Sequence, residues 1–166
     1  DLNTISLLTG MMVIVAITKK SGVFQYVAVK AAKGVKADPW GLLVMLSLVT
    51  AVFSALLDNV TTVLLIAPVT LLITDALRIG PYPYLFSVIF ASNIGGTATP
   101  IGDPPNIMIG SAAKLTFNDF LINVGPVAAV VMALTLIPIY FIWGRKLRAA
   151  FFFSSRRRHT RFDCDW

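Results

Sequence analysis

Cysteine and histidine are almost missing from the 166 residues: Cys164 and His159 are the only ones, both near the end. One thiol excludes a disulfide and a thiolate metal site. Charge is scarce as well, with 13% of residues charged against 57% hydrophobic, and the mean hydropathy of +0.80 lies outside the range of soluble domains. A soluble enzyme or binding module is therefore excluded. The chain reads as an all-α integral membrane protein, with the lipid bilayer as its first partner. A basic leader is lacking too: the first apolar run, 2–18, is followed rather than preceded by Lys19-Lys20, so it reads as a span and not as a signal peptide. Too few spans are present to enclose a pathway, and the chain is expected to be a piece of a longer protein.

The net charge of +6 comes largely from Arg156, Arg157, Arg158 and Arg161 in a short tail, while the other basic residues flank apolar runs. That distribution sets membrane orientation and does not point to nucleic acid. The tail, 149–166, changes composition abruptly and resembles translated sequencing-adapter sequence; the alternative is a basic juxtamembrane segment meeting anionic lipid. It is kept out of the fold, and His159 and Cys164 are given no role. The transmembrane domain is expected over 1–148.

What remains is oily helix interrupted twice. Asn93-Ile94-Gly95-Gly96-Thr97-Ala98-Thr99-Pro100-Ile101-Gly102-Asp103-Pro104-Pro105-Asn106 lies between apolar runs at 85–91 and 107–113. Three prolines remove backbone donors and three glycines loosen the backbone, so the helical ladder is expected to stop throughout this stretch. Unsatisfied backbone groups in hydrocarbon cost several kcal/mol each, so a break at membrane depth is expected to line a cavity. The second interruption is Asp58-Asn59-Val60-Thr61-Thr62. Asn59-Val60-Thr61 also fits the glycosylation pattern, which a buried tip makes irrelevant.

In chain order, 21–36 carries Lys30, Lys33 and Lys36 at helical spacing opposite an apolar side, the pattern of an interfacial helix. Trp40 then suits the boundary. One helix over 41–73 would be roughly 50 Å long, against a hydrocarbon core of about 30 Å. Two full spans would leave the second arm, 63–73, too short. A re-entrant hairpin over 41–74 is expected instead, its polar tip near the midplane. A broken helix over 84–113 then crosses once and a final span over 121–143 crosses back. This arrangement puts Lys19, Lys20, Lys30, Lys33, Lys36, Arg78, Arg145, Lys146 and Arg148 on one side and Lys114 on the other. The positive-inside rule makes the basic side cytoplasmic, in a multi-pass protein of the cell (inner or plasma) membrane.

Asp58 and Asp103 are the carboxylates expected at depth, where an ionisable group faces a cavity, pairs, or holds a proton. Asp58 also reads as a helix N-cap. The candidate site comprises Asp58, Asn59, Thr61 and Thr62 at the tip with Asn93, Gly95, Gly96, Thr97, Thr99, Gly102, Asp103 and Asn106 in the break. Oxygens around Asn59, Thr61, Gly95, Asp103 and Asn106 suit sodium. Helix starts near Thr61 and Asn106 suit an anion. Coupling sodium or protons are the only cofactors expected, and no catalytic residue is expected.

The tip Leu57-Asp58-Asn59-Val60-Thr61-Thr62-Val63-Leu64-Leu65, Ala67-Pro68-Val69-Thr70, the run Asn93 to Thr99 and Ile101-Gly102-Asp103-Pro104-Pro105-Asn106 resemble the ion transporter superfamily. This group holds citrate and dicarboxylate transporters, the arsenite permease and NhaD-type sodium/proton antiporters. The wording is similar to that of the branch containing the melanosomal P protein and its bacterial relatives. The resemblance covers about 2–143. It implies a transporter of two inverted repeats, each with a hairpin and a broken helix, in which a substrate-carrying domain moves against a scaffold. The implied partners are a second repeat, a second copy in a homodimer, and a small inorganic or carboxylate anion or Na+ and H+. In the dicarboxylate branch Ser stands where Asp58 is and Thr where Val60 and Asp103 are, while Asn59 and Asn106 match. The added carboxylates would repel a dicarboxylate and suit coupling to protons or sodium.

The function expected is secondary active transport, as an anion permease of the arsenite or citrate type coupled to or exchanging H+ or Na+. A sodium/proton antiporter is the alternative. An intramembrane aspartyl protease needs Gly-x-Gly-Asp, and Pro100-Ile101-Gly102-Asp103 lacks the first glycine. A channel would show flux without coupling.

Overall fold

The computed structural model describes residues 38–144 throughout and scattered positions between 5 and 30. Most of the first apolar run, most of the interfacial helix expected at 21–36, and the tail 149–166 lie outside the described residues. No strand occurs among the described residues, and three helices are long and apolar enough to cross a membrane.

Helix α1, Pro39–Leu56, begins where the Asp38 side chain accepts from the Gly41 amide at 2.8 Å and Pro39 supplies a preset φ to the first turn. It stops at Leu57, which is extended. Helix α2, Asn59–Ala76, restarts at once under Asp58, whose carboxylate accepts from the Thr61 amide at 2.9 Å. Leu42, Leu43 and Leu46 near the start of α1 share a core with Ile66 and Val69 of α2, and Ile73 and Leu77 pack alongside. The two helices therefore run antiparallel and fold back at Leu57-Asp58.

The bounds differ from the expected 41–74. The pattern gave the second arm only 63–73, whereas α2 has 18 residues, about 27 Å at 1.5 Å per residue. The reason is the cap: Asp58 draws Asn59, Val60, Thr61 and Thr62 into the first helical turn. Shortness of the second arm thus no longer argues for re-entry.

Helix α3, Tyr82–Thr97, runs beside α1 in the same direction. Near its start the Tyr84 hydroxyl donates to the Pro39 carbonyl at 3.0 Å, and further along the Ser54 hydroxyl donates to the Ser92 carbonyl at 2.6 Å. Residues 98–103 are non-helical, and α4, Pro104–Ala113, follows. The break is thus narrower than expected, because Asn93 to Thr97 are helical. Gly95 and Gly96 have no unusual φ. What they supply is closeness: a Cβ on Gly95 would fall on the Ala51 backbone, and one on Gly96 would sit 2.7 Å from the Gly102 carbonyl oxygen.

A Thr116–Asp119 capping box opens α5, Phe117–Asn123, and Val124 joins it to α6, Gly125–Ile139, which ends in a π turn, Tyr140–Gly144. The span expected over 121–143 is therefore divided. Residues 121–123 close α5, and Gly125–Gly144 forms the apolar segment. Pro126 has no amide to continue the preceding ladder, so it sits in the first turn of a new helix.

The helices carry their inward hydroxyls without leaving them bare. Ser47, Thr50 and Thr70, all fully buried, donate to the carbonyl four residues back at 2.6 to 2.9 Å. Leu48, Val52, Leu56, Leu64 and Leu72 project outward from α1 and α2, an apolar exterior that needs lipid or further protein against it.

Candidate ion and substrate site

The turn between α1 and α2 is only Leu57-Asp58, so Asn59 is already helical and its amide has no partner in its own helix. That amide donates to the Gly102 carbonyl at 3.1 Å. The free donor of one interruption thus meets the free acceptor of the other, and Asp58 and Asp103 each lie one residue from this bond.

Further bonds fasten the two together. The Ser92 hydroxyl donates to the Asn59 carbonyl at 2.7 Å, and Asn59 Nδ2 donates to Asn93 Oδ1 at 3.3 Å. The Thr99 hydroxyl donates to the Ala55 carbonyl at 2.5 Å and accepts from the Gly102 amide at 3.2 Å. Asn106 Nδ2 closes the break by donating to the carbonyls of Gly96 at 3.3 Å and Thr99 at 3.1 Å. Gly102 has to be glycine for this approach, since a Cβ there would meet the Ser54 carbonyl oxygen at 2.6 Å.

Counting donors decides what the junction can hold. At the start of α2 the amides of Val60, Thr61 and Thr62 go to Asn59 Oδ1, Asp58 Oδ2 and the Asp58 carbonyl at 2.8, 2.9 and 3.0 Å. At the start of α4, Pro104 and Pro105 have no amide hydrogen, and those of Asn106 and Ile107 both go to the Asp103 carbonyl. Neither helix start keeps an amide for an anion. Oxygens are what remain: the second oxygen of Asp58, both of Asp103, the Thr61 hydroxyl and Asn106 Oδ1 take no protein donor among the described residues.

The twelve expected site residues divide accordingly. Asp58, Asn59, Gly102, Asp103 and Asn106 come together at the junction, with Thr61 one turn above Asp58. Asn93 and Thr97 lie one turn apart on the exposed face of α3 and bond back to the carbonyls of Ile89 and Ile94, Asn93 reaching the edge of the junction through Asn59. Thr62 and Thr99 are 0% and 2% exposed with their hydroxyls engaged, so they serve the scaffold of the site. Gly95 and Gly96 provide close packing. As a sodium ligand Gly95 fits poorly, because its carbonyl already accepts from the Ala98 amide at 3.1 Å. Asp103, Thr61 and Asn106 offer the open oxygens that a hard monovalent cation requires. No group of three His, Cys, Asp or Glu side chains capable of holding a metal occurs among the described residues.

Ser54 belongs to the junction and the sequence reading omitted it. Its place four residues before Asp58, in line with Ser47 and Thr50 at helical spacing in an apolar run, was the available signal. An apolar cavity of about 350 Å³ lies between α1, α3 and α6, lined by Ala51, Ala55, Gly95, Ala98 and Met132 among others. Neither aspartate lines it, and apolar walls cannot replace the hydration of an ion.

A sequence model for citrate transporters matches residues 1–158. The chain belongs to the citrate transporter family. An uncharacterised transporter of Mycobacterium tuberculosis is 58% identical over 132 residues, which are 80% of this chain and 31% of that protein. A 46 kDa membrane protein of Mycobacterium leprae is 54% identical over 131 residues, 79% of this chain and 30% of its own length. The human P protein is 47% identical over 115 residues, 69% of this chain and 14% of its own length. The chain thus spans less than a third of these relatives. The family match and the apolar helices mark the chain as part of a membrane protein of a transporter family.

Proposed function

We propose that the chain is one repeat of a secondary active transporter, in which the break at Asp103, packed on the tip between α1 and α2, holds a coupling cation, H+ or Na+, beside the carried solute. The observation that carries this reading is the bond between Asn59 and Gly102, which joins two polar interruptions whose amide donors are spent and whose oxygens are open. An acceptor-rich junction favours a cation. The family's name points to a small carboxylate such as citrate as the solute, making the protein an anion permease of the arsenite or citrate type. The anion then takes its donors from a second repeat or its attraction from the bound cation. A sodium/proton antiporter is the second reading, favoured by the same surplus of oxygens.

In this reading α1 and α2 enter and leave from the cytoplasmic side of the plasma membrane and carry Asp58 into the bilayer. The full-length protein in proteoliposomes tests it. Citrate uptake should follow an imposed proton or sodium gradient, and Asp103→Asn should lower gradient-driven uptake by at least about tenfold, the scale of losing one charged ligand interaction. Wild-type uptake in that variant removes Asp103 from the site. Sodium-driven proton movement without citrate uptake selects the antiporter, and flux indifferent to both gradients indicates a channel.

A further inference from the structure

The two carboxylates at the junction are held in different ways. Asp58 is fastened at three points within one turn: its Oδ2 accepts from the Thr61 amide at 2.9 Å, and its carbonyl accepts from the Thr62 amide at 3.0 Å and from the Thr62 hydroxyl at 2.9 Å. Thr62 is fully buried, so this staple is anchored in packed protein. Asp103 also occupies the residue before a helix, yet its side chain makes no capping bond. The first two helical positions after it are prolines, which carry no amide hydrogen, and the Asn106 amide, the counterpart of the Thr61 amide, goes to the Asp103 main-chain carbonyl at 3.0 Å instead. The carboxylate of Asp103 is thus left without a capping bond.

We propose that Asp58 is a positioning residue that shapes the tip through its cap, and that the coupling charge is carried at Asp103 alone. This rests on the transport reading above. Capping requires a side-chain oxygen, which asparagine and serine supply as well as aspartate does, whereas alanine does not. Holding a cation requires the negative charge, which asparagine lacks. The same replacement thus separates the two roles: Asp58→Asn retains what matters at position 58, and Asp103→Asn removes what matters at position 103.

The structure also says where the consequences of losing the cap would travel. Without the staple at Asp58, the first turn of α2 loosens, and Asn59 no longer presents its amide to Gly102 or its carbonyl to Ser92. Position 58 then acts on the site through Asn59, without touching what is bound.

The test uses the full-length protein with two readouts. In proteoliposomes, Asp58→Asn and Asp58→Ser should keep gradient-driven uptake within about threefold of wild type with the same dependence on the coupling cation, while Asp58→Ala falls at least about tenfold, following the capping ranks. Asp103→Asn should lose the gradient dependence. Independently of transport, amide hydrogen exchange at Thr61 and Thr62 should rise in Asp58→Ala, return to wild type in Asp58→Asn, and stay unchanged in Asp103→Asn. An Asp58→Asn protein with wild-type exchange that is as uncoupled as Asp103→Asn overturns the division of roles. So does Asp58→Ala with wild-type exchange. A wild-type protein that moves no solute under any gradient would instead defeat the transport reading, and the exchange pattern would still decide the role of Asp58.

Discussion

Gly95 and Gly80 are the same residue type in different circumstances. A Cβ at Gly95 lands on the Ala51 backbone, whereas at Gly80 nothing lies within 4 Å. Overpacking of this kind costs about 1–3 kcal/mol, so Gly95→Ala should lower the thermal midpoint of the detergent-solubilised protein and impair uptake, with Gly80→Ala close to wild type in both. Equal midpoints for the two variants would mean that α1 and α3 do not approach as closely as described. The sequence made Gly95 and Gly96 conspicuous for the wrong reason. Next to three prolines they read as helix breakers, but their role depends on Ala51, which lies 44 residues upstream of Gly95. Ser54 escaped notice on the same ground: its hydrogen bond to Ser92 joins residues 38 apart, and local pattern holds no trace of such a partner.

Among the elements, starts and stops were legible where a side chain or a proline acts within its own turn. Asp38-Pro39 opens α1 and Asp103-Pro104-Pro105 opens α4, whereas the Thr116–Asp119 box that opens α5 went unread. Asp58 was legible as the cap of α2, but the arm was counted only from residue 63, because Asn59, Val60, Thr61 and Thr62 look like loop until the Asp58 cap and the Gly102 carbonyl absorb their amides. The capping box makes a prediction of its own. Hydrogen bonds from the Thr116 hydroxyl and amide hold the Asp119 carboxyl below its ordinary value. A carboxyl with a depressed folded pKa contributes stability that is present above its unfolded pKa, about 4, and is lost as pH falls through the folded value. Hydrogen exchange at Phe120, whose amide donates to the Thr116 carbonyl, should therefore rise on acidification below about pH 4 relative to its intrinsic rate. In Asp119→Ala it should be raised already at neutral pH. A flat profile down to pH 2 would show that the box does not hold α5.

For the whole molecule, the antiparallel pair α1 and α2 and the parallel pair α1 and α3 gather Asp38, Arg78 and Tyr82 at one end. If that end is cytoplasmic, cysteines placed at Asp38 and Arg78 in a Cys164→Ser background should react with an impermeant reagent only from the inside. One at Lys114, beyond the broken helix, should react only from the outside. Labelling of Asp38 and Arg78 from opposite sides would mean that α1 and α2 do not fold back at Leu57-Asp58. Charge distribution gave an expectation of how the chain crosses, which this labelling tests, while the packing of one interruption on the other was visible only as a requirement that something cover them. The Asn59–Gly102 contact has a consequence for biosynthesis. Both of its members are translated before Asn106, so a nascent polypeptide stalled just past α4 already owns the pair of main-chain groups that ties one interruption to the other. Joining them then need not wait for any later-made sequence to arrive.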